Sequence, residues 1–211
     1  MKVKQFPFNH FQTKGYLLLD EDSKQCAVID PCMEYPQEYR QLEQALEGYK
    51  PMLLLLTHAH PDHICGVERL ATQFGLPITT HCGSLRLLET AQGQGRNIGF
   101  DINPLDKLPR NNIFDGDVLH LGKNPIRCLY VPGHCPGSMA YYLEQEEMVF
   151  TGDALFRRSI GRTAPPGGDY DVLLNSIKTK LFTLPPDTLV LPGHADATSI
   201  REEELGNPFI N

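Results

Sequence analysis

Several features that would narrow the function at once are missing from this sequence. There is no long basic run, and 26 acidic residues outnumber 19 Lys and Arg, for a net charge of −7. Nucleic-acid binding usually draws on a basic stripe, so no nucleic-acid partner is expected. No stretch approaches the roughly 20 apolar residues of a membrane span, so no membrane partner is expected. The start, Met1 to Phe6, has no signal-peptide apolar region, and the longest early apolar run, Tyr16 to Leu19, is only a strand's length. A cytoplasmic location follows as the expectation. None of the six cysteines (Cys26, Cys32, Cys65, Cys82, Cys128, Cys135) forms a C-x-x-C pair. Their irregular spacing suits reduced thiols better than a disulfide framework. They read as small buried hydrophobes, with Cys135 set apart only by following His134. Repeats of solenoid length and low-complexity tracts are also lacking.

What is present is ordinary for a globular protein: 211 residues, 41% hydrophobic and 21% charged. That length fits one domain spanning residues 1–211. Val3 to Phe8, Tyr16 to Leu19 and Ala27 to Ile29 read as strands. Glu34 to Glu47 reads as a helix stopped by Gly48. Met52 to Leu56 is a buried strand, Val67 to Phe74 a helix closed by Gly75, Ile78 to Thr80 a strand and Ser84 to Thr90 a helix. Gln92 to Pro109, rich in Gly, Asn and Pro, reads as a long loop. Strands follow at Val118 to Leu121, Ile126 to Val131, Met139 to Leu143 and Met148 to Thr151. A helix over Tyr170 to Phe182, a strand over Thr188 to Leu191 and an acidic helix over Thr198 to Glu204 complete the chain. Strand runs with helices interspersed in each half predict an α/β fold, a four-layer αββα sandwich of two mixed sheets flanked by helices.

The densest chemistry is Thr57-His58-Ala59-His60-Pro61-Asp62-His63, directly after the apolar run Met52 to Leu56. Imidazole and carboxylate are preferred ligands of zinc and similar divalent ions, and packing does not explain four of them so close together. His58 and His60 are two apart in extended chain, so both side chains can point one way. Pro61 suits the first position of a helix, which puts Asp62 and His63 in its first turn.

Three further segments share one grammar, an apolar strand, a glycine and then a candidate ligand: Leu129 to Gly133 before His134, Val149 to Gly152 before Asp153, and Leu189 to Gly193 before His194. Glycine allows the tight backbone turn. Taken singly, each reads as a turn with a solvated side chain. Together with the His58 cluster they bring four strand ends to one rim. His10, His81 and His120 fall outside this grammar and read as surface or structural. Seven ligands exceed one tetrahedral zinc. They suit two divalent ions about 3.5–4 Å apart, bridged by a carboxylate and a hydroxide. Zinc is the expected ion, and iron and manganese also suit these donors.

His58-x-His60-x-Asp62-His63, followed by His134, Asp153 and His194, resembles the metallo-β-lactamase superfamily signature over essentially the whole chain. The resemblance implies that His58, His60 and His134 hold one metal, that Asp62, His63 and His194 hold the second, and that Asp153 bridges them. Ala27-Val28-Ile29-Asp30-Pro31 is similar to an early family motif whose aspartate supports the ligands from behind; read alone, Asp30 is a turn after a strand. Gly161-Arg162-Thr163-Ala164-Pro165-Pro166-Gly167 and the ending Gly206-Asn207-Pro208-Phe209 resemble the short glyoxalase II-like, or hydroxyacylglutathione hydrolase-like, branch.

That branch implies a small-molecule thioester substrate and a metal-bridging hydroxide as nucleophile, with Asp62 and Asp153 in the catalytic machinery. Bound zinc lowers the pKa of water to about 7. A thiolate leaves readily, so no strong protein acid is required. Arg162 falls where the glutathione enzymes carry a basic substrate-binding residue; a guanidinium there pairs with a carboxylate, or serves an ordinary loop salt bridge. Ala164 departs from the usual acidic residue, and Asp196 stands where glutathione enzymes tend to place a tyrosine. With no helical domain expected after Phe209, a smaller or different thiol carrier stays open.

The nearest alternative is a persulfide dioxygenase, which resembles this chain in keeping His58, His134, Asp153 and Gly161-Arg162-Thr163 and binds a single iron through two His and one Asp. Pro165-Pro166-Gly167-Gly168 leans toward the hydrolases. Lactone hydrolysis would use the same metal core. A non-catalytic metal-binding module belongs to another class, and the full set of seven ligands argues against it.

Overall fold

The computed structural model describes residues 1–164 and 166–210. Two six-stranded sheets carry the fold. The first holds β1 (Lys2–Phe8), β2 (Thr13–Asp20), β3 (Gln25–Ile29), β4 (Lys50–Leu55), β5 (Ile78–Thr80) and β6 (Arg110–Asn112) in sequence order. β1 to β3 are antiparallel, and β3 to β6 run parallel through helical crossovers, so the sheet is mixed. The second sheet is built from β7 (Val118–Leu121), β8 (Asn124–Tyr130), β9 (Met139–Leu143) and β10 (Met148–Gly152). A hairpin of β11 (Leu155–Phe156) and β12 (Ser159–Ile160) interrupts it. β13 (Leu189–Pro192) then returns parallel to β10, and β14 (Thr198–Ser199) lies beyond it.

Side-chain alternation along the strands produces the layering. On β2, Leu17 and Leu19 join one apolar cluster while Tyr16 and Leu18 join another. On β9, Met139, Tyr141 and Leu143 face the cluster shared with β2, and Ala140 and Tyr142 face a third. The central cluster therefore lies between the sheets, and each outer one lies under helices. Helices α1 (Pro36–Leu46), α3 (Val67–Phe74) and α4 (Leu85–Asn97) contribute Leu42, Leu70 and Leu88 to the first outer layer. Helices α5 (Tyr170–Ser176) and α6 (Ile200–Gly206) contribute Leu173 and Ile200 to the second. The four-layer αββα expectation is met. No helix among the described residues is long and apolar enough to cross a membrane.

Of the boundaries that differ from the sequence reading, two have a clear physical cause. The predicted loop from Gln92 to Pro109 begins only after Asn97, because α4 continues through Gly93 and Gly95. Gly95 is a packing requirement there: a Cβ would lie 2.9 Å from Ile102 Cδ1 and 3.0 Å from the Phe100 carbonyl. Its helical cost of about 1 kcal/mol is offset by that close approach and by burial of Leu88 and Ala91. The predicted acidic helix from Thr198 starts as β14, because Thr198 pairs with Val190 before Ser199 caps α6 through the Glu202 amide.

Candidate metal centre

Four strand ends deliver the candidate ligands to one rim. β4 leads through Leu56 and Thr57 to His58 and His60. Pro61 then opens a short helix, α2 (Pro61–Ile64), whose first turn holds Asp62 and His63. The chain beyond β8 reaches His134, the end of β10 reaches Asp153, and the end of β13 reaches His194. All seven predicted residues converge. His58, His60 and His134 form one set, and Asp62, His63 and His194 another, with the donor atoms of each set within 4.8 Å of one another.

Asp153 stands between the sets. Its Oδ1 is 3.3 Å from His63 Nε2, and its Oδ2 is 3.7 Å from both His134 Nε2 and His194 Nε2. Within the sets, His134 Nε2 is 2.8 Å from His60 Nδ1, and Asp62 Oδ2 is 3.1 Å from His194 Nε2 and 3.4 Å from His63 Nε2.

The surrounding hydrogen bonds decide which ring nitrogens face inward. Asp30 accepts from the Thr57 amide at 2.7 Å, the Thr57 hydroxyl at 2.6 Å and His63 Nδ1 at 2.9 Å. With its proton committed to Asp30, the Thr57 hydroxyl accepts from His58 Nδ1 at 3.1 Å. His134 Nδ1 donates to the Arg162 carbonyl at 2.7 Å. In all three rings Nδ1 holds a proton against a fixed acceptor, so Nε2 is the atom left to bind a cation. Asp30 itself lies near His58 and His63, but its oxygens are committed to these donors. Its supporting role is the one the early sequence motif implied.

The site's polar atoms fit a metal. His58 Nε2, His63 Nε2 and Asp153 Oδ1 are buried without a hydrogen-bond partner among the described residues. Buried polar atoms are normally satisfied, and cations at this point would satisfy all three. The proton affinities are arranged to match. Burial, reinforced by His63, pushes His58 well below the ordinary imidazole value, and burial with His134 holds His60 at about 4. Burial opposes charge on His63 too, but Asp62, Asp153 and Asp30 outweigh it and raise that ring. Burial would raise Asp62, yet His63 and His194 hold it at about 2. Burial likewise works against the Asp153 anion and is overcome by His63 and His58, leaving it well below the usual carboxylate range. Two anionic carboxylates beside neutral His58 and His60 suit a divalent ion, which would displace the proton that the carboxylates hold on His63.

The glycines before the ligands serve different ends. Gly152 has φ of +50°, and a Cβ there would meet Thr57 Oγ1 at 2.3 Å. Gly193 needs space instead of a special φ: a Cβ would lie 2.5 Å from Asp153 Oδ1 and 2.6 Å from His63 Cε1. Gly193→Ala is therefore expected to cost about 1–3 kcal/mol by overpacking. It should also displace Asp153, seen as metal content per chain falling well below wild type in elemental analysis. A fully metallated variant would contradict the crowding argument.

A cavity of about 780 Å³ opens over the cluster, and Arg162 lines it. No acid lies within ion-pair range of the Arg162 guanidinium among the described residues, so the loop salt bridge is not its role here. Asp196 reaches 3.8 Å from Arg157, with both side chains exposed, and takes no place in the cavity wall. Cys135 is buried, with Sγ 3.2 Å from Ser138 Oγ, and burial raises its thiol pKa; it is a packing residue.

Sequence reasoning missed several contributors. The Thr13 hydroxyl donates to Asp62 Oδ2 at 3.0 Å, and Asn9 Nδ2 donates to the Asp62 carbonyl at 2.8 Å. Nothing near these residues in the sequence signals the role. Thr57, directly before His58, was the one such residue placed beside the motif.

Comparisons with known proteins identify the family. Residues 11–194 match the model of the metallo-beta-lactamase superfamily. The probable metallo-hydrolase YqgX of Bacillus subtilis is 36% identical over 100% of this chain and 98% of its own. The hydroxyacylglutathione hydrolase GloC of Haemophilus influenzae is 34% identical over 100% and 99%. The mitochondrial persulfide dioxygenase ETHE1 of Bos taurus is 32% identical over 94% and 71%. Among solved structures, the BLEG-1 B3 metallo-beta-lactamase superposes with a TM-score of 0.89 at 35% identity, covering both chains fully. TTHA1623 in a di-iron-bound form does so at 0.86 and 35%, over 98% of this chain and 99% of its own. With the signature residues gathered at one rim of an αββα sandwich, the chain belongs to the metallo-β-lactamase superfamily.

Proposed function

We propose that this protein is a glyoxalase II-like thioester hydrolase that works with two divalent metal ions. The observation that carries the reading is the pair of complete donor sets sharing Asp153, with buried, unpartnered donor atoms aimed between them. His58, His60 and His134 would hold one ion, Asp62, His63 and His194 the other, and Asp153 both. Zinc is the expected metal. Bound ions of this kind supply Lewis acidity and a nucleophilic water at neutral pH.

The chain's own residues do the rest. Asp30, Thr57 and the Arg162 carbonyl fix the imidazole orientations. The Arg162 side chain offers a fork of donors to a carboxylate or carbonyl of the substrate. Hydrolysis adds water across the C–S bond, giving a carboxylic acid and a thiol. A thiolate with a pKa near 8.5 leaves unaided, which agrees with the absence of a free acid among the cavity residues outside the donor sets.

The chain is similar to both a hydroxyacylglutathione hydrolase and a persulfide dioxygenase, so the number of ions bound is the discriminating measurement. A mononuclear iron site needs only two His and one Asp, whereas the two-ion reading also uses Asp62, His63 and His194. Metal content by elemental mass spectrometry, with turnover of a thioester panel, tests the reading. About two ions per chain and thioester hydrolysis are expected. About one iron, with oxygen uptake on persulfides, would replace this reading with the dioxygenase. Asp62→Ala should lower metal content toward one ion and cut hydrolysis by about a hundredfold or more while the fold survives. Wild-type turnover in that variant would exclude the two-ion mechanism.

A further inference from the structure

The cavity over the donor sets is chemically lopsided. Outside the donor sets, Arg162 is the charged side chain among its lining residues. The Arg162 backbone lies on the first set's side, where its carbonyl holds His134. The other side is uncharged outside the donor sets and presents Phe11, Ile98 and Phe156, with the amides of Gln94 and Asn97 on α4 beside Ile98. Phe156, on the β11–β12 hairpin, packs edge-on against His194 at 6.1 Å between ring centroids. Phe11 sits in the β1–β2 turn, which Asn9 and Thr13 fasten to Asp62: Asn9 Oδ1 accepts from the Phe11 amide at 2.9 Å, and its amide donates to the Asp62 carbonyl. Ile98, just beyond α4, completes this wall.

Phe11 and Ile98 are 43% and 42% exposed, although both border a cavity. Large apolar side chains left open around a concave site mark binding surface more often than chance exposure. They are also held apart from collapse. His10, next to Phe11, stacks on buried Phe100 at 4.4 Å, bonds Glu34 at 2.7 Å and approaches the Ile98 carbonyl at 3.4 Å. The turn and the end of α4 are thereby braced as a fixed frame, so little ordering cost remains for binding.

We infer that the substrate is a two-sided thioester, with a single carboxylate that meets Arg162 and, across the scissile group, an uncharged apolar arm that lies between Phe11, Ile98 and Phe156. This rests on the thioester-hydrolase reading for the scissile group and extends it to the substrate's shape and charge. A carrier with charges on both sides of the sulfur would place one of them against Phe11 and Phe156, where none of the lining residues outside the donor sets, Arg162 aside, carries a charge to offset its desolvation.

The test uses the metal-loaded protein and synthetic thioesters bearing one carboxylate on one side and either a methyl or a hexyl arm on the other, in both orientations. For one orientation, kcat/KM should favour hexyl over methyl by at least about tenfold. That ratio should fall toward unity in Phe11→Ala and in Ile98→Ser, while Arg162→Met should lose the preference for carboxylate over its amide. The same ratios are measured as binding constants by calorimetry, with ketone analogues in which a methylene replaces sulfur. If no thioester is hydrolysed but the analogues keep the hexyl preference and its loss in the variants, the hydrolase reading fails and the two-sided site stands. Equal binding of methyl and hexyl arms, or ratios unmoved by both wall variants, would overturn the inference.

Discussion

Asp153→Ala is expected to cut turnover severely and to strip both ions from the protein. Every other candidate ligand serves one donor set, whereas Asp153 directs Oδ1 toward His63 and Oδ2 toward His134 and His194. Partners that merely orient a metal ligand cost ten- to a hundredfold when removed. A shared carboxylate should exceed that, so a loss on the order of 10³ in kcat/KM is the expectation. Stability should fall as well, because the variant loses the bound ions and the attraction between buried Asp153 and His63. The checking measurements are metal content, kcat/KM and a thermal melt on one preparation. Retention of one ion per chain with the melt unchanged would mean that the two sets bind independently and that Asp153 bridges nothing.

The sequence made the candidate ligands legible because each lies within a few residues of a strand or helix signal. Apolar runs ended by glycine located His134, Asp153 and His194, and the density of the His58 segment needed no partner elsewhere in the chain. The layers were legible through alternation, as in Leu17 and Leu19 against Tyr16 and Leu18. Contributions that depend on long-range contact were not. α4 runs through two glycines because Ile102 and Phe100 pack against Gly95, a relation invisible to local propensity. β6 consists of Arg110, Asn111 and Asn112, polar residues recruited as an edge by pairing with β5. β11 and β12 have two residues each and carry no periodic pattern, yet they place Phe156 beside His194. Thr13 and Asn9 lie about fifty residues from Asp62, and their hydroxyl and amide acquire meaning only when the β1–β2 turn folds over α2.

Asp30 is where fold and site are hardest to separate, and Asp30→Ala should show both losses together. The residue is buried and adopts a left-handed backbone with φ of +49°, a conformation that aspartate tolerates better than alanine. Removing its carboxylate leaves the Thr57 amide, the Thr57 hydroxyl and His63 Nδ1 as buried donors without their acceptor. Breaking one member out of such a network costs about 3–5 kcal/mol, and for a chain of this length each kcal/mol lowers Tm by about 2–4 °C. A drop of about 6–20 °C is therefore expected. Metal affinity should fall as well, because His58 reaches Asp30 through Thr57 and both rings lose the contact that fixes Nε2 toward the ions. Asp30→Asn separates the two effects. Asparagine accepts the left-handed backbone and keeps one carbonyl oxygen for the Thr57 amide, but its NH2 group faces the hydroxyl and ring donors and cannot accept from them. Only the share owed to the backbone and the Thr57 amide should return in Asp30→Asn, and metal affinity should stay ten- to a hundredfold below wild type. Equal melting temperatures for the alanine and asparagine variants would assign the loss to the hydrogen-bond network alone and remove backbone conformation from the account. Wild-type metal affinity in Asp30→Asn would show that the imidazoles are oriented by packing, without help from the carboxylate behind them.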